Sequence, residues 1–227
     1  VTRLRVAVLI SGRGSNMMAL LRAAAEPGFP ADIPLVIADT PEAGGLALAR
    51  AQGVEALAID RRGFGRDRAA HEAAIDAALR ARGIGLVCLA GYMRLLSPVL
   101  VQRWEKRMLN IHPSLLPAFP GLDTHARALK AGVTLHGCTV HWVTQGMDEG
   151  PILAQAAVPV LPDDTADSLA ARVLIQEHRL YPLALCMAAG EPPRHPDSTA
   201  CLLNPADAGP PPCEPVSNPL PGATPKT

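Results

Sequence analysis

A chain of 227 residues, 48% of them hydrophobic, has room for one large domain with an ample core, or for one domain and a tail. Its 21 basic side chains balance its 21 acidic ones without a basic stripe, so the electrostatic footprint of a nucleic-acid binder is missing. No apolar run is long enough to span a bilayer, Val6–Ile10 is too short for the hydrophobic part of a signal peptide, and five scattered cysteines form no C-x-x-C pair.

Those features predict a cytoplasmic protein with reduced thiols and neither a disulfide framework nor a zinc site. In chain order, Arg5–Ile10 is a continuous apolar run rich in β-branched residues, as in a buried parallel strand. Ser11-Gly-Arg-Gly-Ser-Asn16 follows, and Met17–Ala25 reads as a helix with Ser15 or Asn16 as its N-cap. Strand, glycine loop and helix aim free backbone N–H groups and a positive helix end at an anion. Further strands are expected at Pro34–Ala38, Glu55–Ile59, Leu86–Ala90 and Met108–His112, with helices at Gly45–Gln52, Arg66–Arg82, Pro98–Lys106 and Thr124–Ala131. Gly83 is placed to end the long helix, and Ser97-Pro98 to begin the next one.

After that the rhythm changes. Gly137–Val143 and Ile152–Val160 read as strands joined by a loop too short for a crossover helix, hence antiparallel neighbours at the sheet edge. Asp163-Asp164-Thr165 caps a last helix running to about Met187, with a kink expected at Pro182. The fold class is therefore α/β: a single doubly wound, mostly parallel sheet over residues 1–190, closed by a C-terminal antiparallel edge hairpin. Residues 191–227 are rich in Pro, Ala, Asp and Ser and read as a disordered tail.

The chemistry is expected at Met108–Pro117. Asn110 and His112 stand two apart before Pro113 ends the strand, so both side chains point to one face. An amide donor beside a group that titrates near neutrality suits acyl transfer through an oxyanion. Asp148, in the loop Met147–Pro151, would approach His112 and stabilise its imidazolium, although Asp-x-Gly-Pro is also an ordinary turn. Gly12-Arg-Gly14 begins like a dinucleotide fingerprint, with Asp39 where an acid for a ribose would stand. Met17 replaces the third glycine, however, which favours a single phosphate on the amides of Gly14, Ser15 and Asn16. His136 and His141, five apart, fall on opposite strand faces, and with no Cys ligand or H-x-x-x-H no catalytic metal is expected.

Seven segments in order closely resemble the phosphoribosylglycinamide formyltransferase family: SGRGSN at 11–16, LAGYMRLLSP at 89–98, LNIHPSLLP at 109–117, GLDTHARAL at 121–129, GCTVHWV at 137–143, MDEGPIL at 147–153 and QEHRLYP at 176–182. The resemblance implies a Rossmann-like formyltransferase fold and a formyl transfer from 10-formyltetrahydrofolate to the amine of 5'-phosphoribosylglycinamide, without a metal. It implies His112, Asn110 and Asp148 as the catalytic trio, Gly14, Ser15 and Asn16 on the ribonucleotide phosphate, and Glu177 at the glycinamide end. Met93, Arg94, Leu95 and Leu96 correspond to the folate wall, with Asn110 also facing the folate. Counting back from Gly91 puts the folate-site arginine on Arg68, with Arg66 as the alternative. Arg13 and Glu149 depart from the family pattern, where Asn and a small residue are usual.

Partners are expected to be small-molecule substrates, with no nucleic acid and no membrane, for a monomer or homodimer. The rivals are a methionyl-tRNA formyltransferase, a formyltetrahydrofolate hydrolase, or a binding module that has lost activity. The first two families add an RNA-binding barrel or a regulatory domain, neither of which is expected here, and the intact Asn, His, Asp set argues against the third.

Overall fold

The computed structural model describes residues 3–190 and the backbone of 201–203. Seven strands of the first segment form one sheet: β1 Leu4–Ile10, β2 Ala31–Ala38, β3 Glu55–Ala58, β4 Leu86–Leu89, β5 Met108–His112, β6 Leu135–Trp142 and β7 Ile152–Pro159. Their spatial order is β3-β2-β1-β4-β5-β6-β7; β1 to β5 run parallel, β6 turns antiparallel to β5, and β7 antiparallel to β6. Inside the segment read as a tail, Cys201–Leu203 forms β8, parallel to β7; the rest of that reading lies outside the described residues.

The helices are α1 Ser15–Ala25, α2 Gly44–Ala51, α3 Arg68–Ala81, α4 Pro98–Arg103, α5 Thr124–Ala131 and α6 Ala166–Gly190, with one 3-10 turn at Arg61–Phe64. None of the described helices is long and apolar enough to cross a membrane. Two-residue alternation sorts each strand between two cores. Val6, Val8 and Ile10 of β1 pack with Leu20 of α1, Leu46 of α2, Ala128 of α5 and Leu180 of α6, while Ala7 and Leu9 pack with Ile75 of α3 and Leu100 of α4. In β2 this parity reverses at Pro34: Ala31 and Ile33 share a core with Val36 and Ala38. The β1–β2 register slips there by one residue, which seats a proline that has no N–H to give the ladder.

Local ends differ from expectation where backbone geometry overrides side-chain preference. Gly14, not Ser15 or Asn16, is the N-cap of α1, with φ 76° and no side-chain cap. Asp67 caps α3 by accepting from the N–H of Ala70, so that helix starts at Arg68 rather than Arg66. Ser97 caps α4 as expected, but the helix stops at Arg103 and Lys106 turns left-handed. Helix α6 continues through Pro182 to Gly190.

The crossovers of the parallel half bring helices to both faces. Strand β6 needs no crossover, because it runs antiparallel to β5; α5, in the connection between them, lies on the face that it shares with α6. On the opposite face the second core reaches Met108 and Val143 and includes no helix beyond α4. That uncovered corner, at the carboxyl end of β5, is where Asn110 and His112 project.

Candidate active site

Strand β5 carries Asn110 and His112 on one face, and antiparallel pairing sets His141 of β6 opposite Asn110 and Thr139 opposite His112. His112 is buried, and its Nε2–H donates to the Phe119 carbonyl at 3.0 Å, since a carbonyl can only accept. That bond fixes the ring and leaves Nδ1 facing Asp148, 3.4 Å from Oδ2. Asp148 has φ 57°, and the same Oδ2 accepts the N–H of Gly121 at 2.9 Å. Gly150 completes the turn: a Cβ there would stand 1.6 Å from the Trp142 carbonyl oxygen, so only glycine fits.

From the sequence His141 is weighed only as a metal ligand, not as a partner of Asn110. Its Nδ1–H donates to the Trp142 carbonyl at 3.1 Å, which makes Nε2 the acceptor for the Asn110 amide at 3.2 Å. Burial pushes this histidine down, opposed by the Trp142 carbonyl and by Asp148, whose Oδ1 is 3.7 Å from Nε2. A neutral His141 thus orients Asn110 and stands near Oδ1 of Asp148, while His112 stands near Oδ2. The signal was register: once β5 and β6 pair antiparallel, position 141 must face 110.

The glycine loop lies at the carboxyl end of β1, one strand removed from β5 in the parallel half of the sheet. The N–H of Met18 closes the first turn of α1 on the Gly14 carbonyl at 2.9 Å, leaving the first amides of the helix free of helical partners. Gly14 abuts Gly45 at the start of α2: a Cβ on Gly14 would lie 3.0 Å from the Gly45 Cα, and the Gly45 N–H donates to the Gly12 carbonyl at 3.1 Å. The small residue that a third glycine would supply therefore comes from the next helix. Asn16 is buried and donates to Glu177 Oε2 at 2.6 Å, joining α1 to α6. Burial pushes the Glu177 carboxyl up, with the Asn16 amide pulling the other way.

The loop after β4 is tied to this one, because the Ser11 N–H donates to the Gly91 carbonyl at 3.1 Å and the Met93 N–H to Ser11 Oγ at 2.9 Å. Met93 and Leu95 are 74% and 64% exposed, apolar side chains left facing solvent, whereas Leu96 packs on the second core. Arg94 lines a cavity of about 250 Å³ with Arg61, Arg66, Asp67, Arg68 and His71. Arg68 is braced by Glu72 at 3.0 Å, and Glu72 also accepts from the N–H and hydroxyl of Ser97. Both arginines weighed from the sequence thus reach the same cavity. Arg13 and Glu149 are exposed.

A formyl transferase family model matches residues 4–185. The chain is 60% identical to a phosphoribosylglycinamide formyltransferase of known structure from Brucella melitensis, covering 84% of this chain and 97% of that one at a TM-score of 0.80. It is 39% identical to the phosphoribosylglycinamide formyltransferase of Bacillus subtilis, over 82% of this chain and 95% of that protein. It is 48% identical to the trifunctional purine biosynthetic protein adenosine-3 of Drosophila melanogaster, over 82% of this chain but only 14% of that much longer protein. Similarity across nearly the whole described domain, with the parallel sheet, the glycine loop and the edge hairpin in place, settles the family: this chain belongs to the formyl transferases, among the phosphoribosylglycinamide formyltransferases.

Proposed function

We propose that the chain moves the formyl group of 10-formyltetrahydrofolate to the amine of 5'-phosphoribosylglycinamide, with Asn110, His112 and Asp148 as the reacting groups. The observation that supports this reading most is the meeting of His112, Asp148 and the His141-anchored Asn110 at one uncovered corner of the sheet. The ribonucleotide phosphate takes the amides of Gly14, Ser15 and Asn16, and Glu177 receives the glycinamide end. The folate lies along Met93, Arg94, Leu95 and Leu96, with Arg68 and Arg94 toward its carboxylate and Asn110 toward the formyl group.

The amine nitrogen attacks the formyl carbon, and the carbonyl electron pair moves onto oxygen. The free N–H of Asn110 and the Nδ1–H of a protonated His112 hold that oxyanion. The ammonium formed on attack gives a proton to Asp148, His112 gives its Nδ1 proton to N10 of the folate, and the C–N10 bond breaks. The proton on Asp148 then returns to His112 across the short gap between them. One oxyanion donor is worth about 10²–10³ in rate, and acid–base help about 10²–10⁴. A cytoplasmic monomer or homodimer is the form in which we expect it to act.

The test mixes the protein, 10-formyltetrahydrofolate and the ribonucleotide, and follows loss of the formyl-folate. Turnover that depends on the ribonucleotide is expected. No acceptor-dependent turnover would overturn the proposal, and turnover onto water alone would make the protein a hydrolase.

A further inference from the structure

Between β5 and α5 the chain makes a loop, and one short piece of it, Phe119–Gly121, touches both members of the reacting pair. The Phe119 carbonyl accepts from His112 Nε2–H at 3.0 Å, and the Gly121 N–H donates to Asp148 Oδ2 at 2.9 Å. The turn is not a relaxed one: Phe119 and Asp123 hold φ of 55° and 56°, a region that an L side chain keeps only when its surroundings impose it.

Arg127, one turn into α5, holds this turn by its backbone. Its Nη1 donates to the carbonyl of Pro120 and, at 3.2 Å, to that of Leu122, so it grips the backbone on both sides of Gly121. The guanidinium carbon lies 5.7 Å from the centre of the Phe119 ring, and that ring meets His136 of β6 edge-on at 5.9 Å. Among the described residues no carboxylate forms a salt bridge with Arg127, so its charge goes to the two carbonyls and the ring.

We infer that Arg127 is a positioning residue for formyl transfer: it clamps the Phe119–Gly121 turn, and the turn sets the imidazole of His112 and the carboxylate of Asp148 in register. The inference rests on the reading that His112 and Asp148 carry the chemistry. Without the clamp the carbonyl drifts from Nε2 and the N–H drifts from Oδ2. The pair loses its two backbone supports together, while the groups that bind the substrates are untouched.

The experiment compares Arg127→Ala, Arg127→Lys, His112→Asn and Asp148→Asn with the parent. It measures kcat, KM for each substrate, and Tm. Arg127→Ala should lower kcat about 10- to 100-fold with both KM values within about two-fold. Arg127→Lys keeps one donor and should fall between, and added methylguanidinium should restore part of the alanine variant's kcat without raising the parent's. An unchanged kcat would overturn the inference. So would a loss of kcat that tracks a fall in Tm, with no recovery on adding methylguanidinium. Full activity in His112→Asn and Asp148→Asn would instead overturn the reading of the site itself.

Discussion

At the carboxyl ends of β1 and β4 the chain leads through loops into helix starts, whereas at β6 it turns back on β5 and leaves one face of the sheet without a helix. The first region presents backbone: the amides at the start of α1, packed against Gly45, and a loop whose N–H at Met93 is pinned to Ser11. The second presents side chains, each held by another side chain or by a single backbone group. Backbone fixed by helix packing suits binding, because every substituent of the loop moves only if the helix does. Side chains held by one or two bonds suit reaction, where a proton must change places and its donors must give a little. The division therefore predicts which kinetic constant each substitution moves.

The largest effects belong to the antiparallel corner. His112→Asn and Asp148→Asn should each lower kcat by about 10²–10⁴ with little change in either KM. Asn110→Ala should cost about 10²–10³, as loss of an oxyanion donor does. His141→Leu should follow at about 10-fold, since it removes the acceptor that orients the Asn110 amide and nothing that touches substrate. Steady-state rates with each substrate varied check all four. A KM change larger than the kcat change would place these residues in binding and dissolve the contrast.

At the parallel end the expected sign is reversed. Replacing Asn16 with Leu removes the donor that Glu177 accepts at 2.6 Å and puts bulk beside the anion loop. KM for the ribonucleotide should rise about 10-fold or more, the worth of one charged hydrogen bond, while KM for the folate and kcat stay near the parent values. Equal effects on both substrates would move the phosphate elsewhere.

How legible this was from the sequence follows the same line. Strand β1, the glycine loop and α1 are contiguous, so one local pattern carried the reading of a phosphate loop, and Asn110 and His112 share a strand with two-residue spacing. Asp148 lies in a turn with no periodicity of its own; the expected neighbourhood of β6 and β5 brought it toward His112, and only the family resemblance lifted it above an ordinary turn. His141 escaped because its meaning depends on the β5–β6 register, which no window of neighbouring residues contains. The N-cap of α1 escaped for a different reason. Ser15 and Asn16 are both good caps by type, but the close approach to Gly45 demands a left-handed glycine one position earlier. Pro34 hid a bulge in the same way, by looking like the start of a strand rather than a slip within one.

The smallest effect concerns stability, and it lies behind the reactive corner rather than in it. His136 of β6 is buried edge-on to His125 at 5.2 Å, and neither of its ring nitrogens has a well-formed hydrogen bond. Burial, helped by His125 and opposed by the nearby Pro113 carbonyl, lowers its pKa to about 4 from an ordinary 6.5. The unfolded chain therefore binds this proton more readily than the folded one, and stability falls as the pH drops from about 6.5 toward about 4. Between about pH 7 and about pH 5.5 this one group should cost about 1 kcal/mol, or about 2–4 °C in Tm. His125, His141 and His178 are lowered by burial too, so the parent's slope is the sum of several such groups. His136→Phe keeps an edge-on ring against His125 and Phe119 but removes the titration. Thermal melts at the two pH values should show the variant losing less stability than the parent by about that amount, with a Tm at neutral pH no lower than the parent's. A slope identical to the parent's would mean that the ring at position 136 finds a proton acceptor in the folded chain. The polar partner would then have to come from the loop at Pro113, and the wall behind His112 would be wetter than its burial implies.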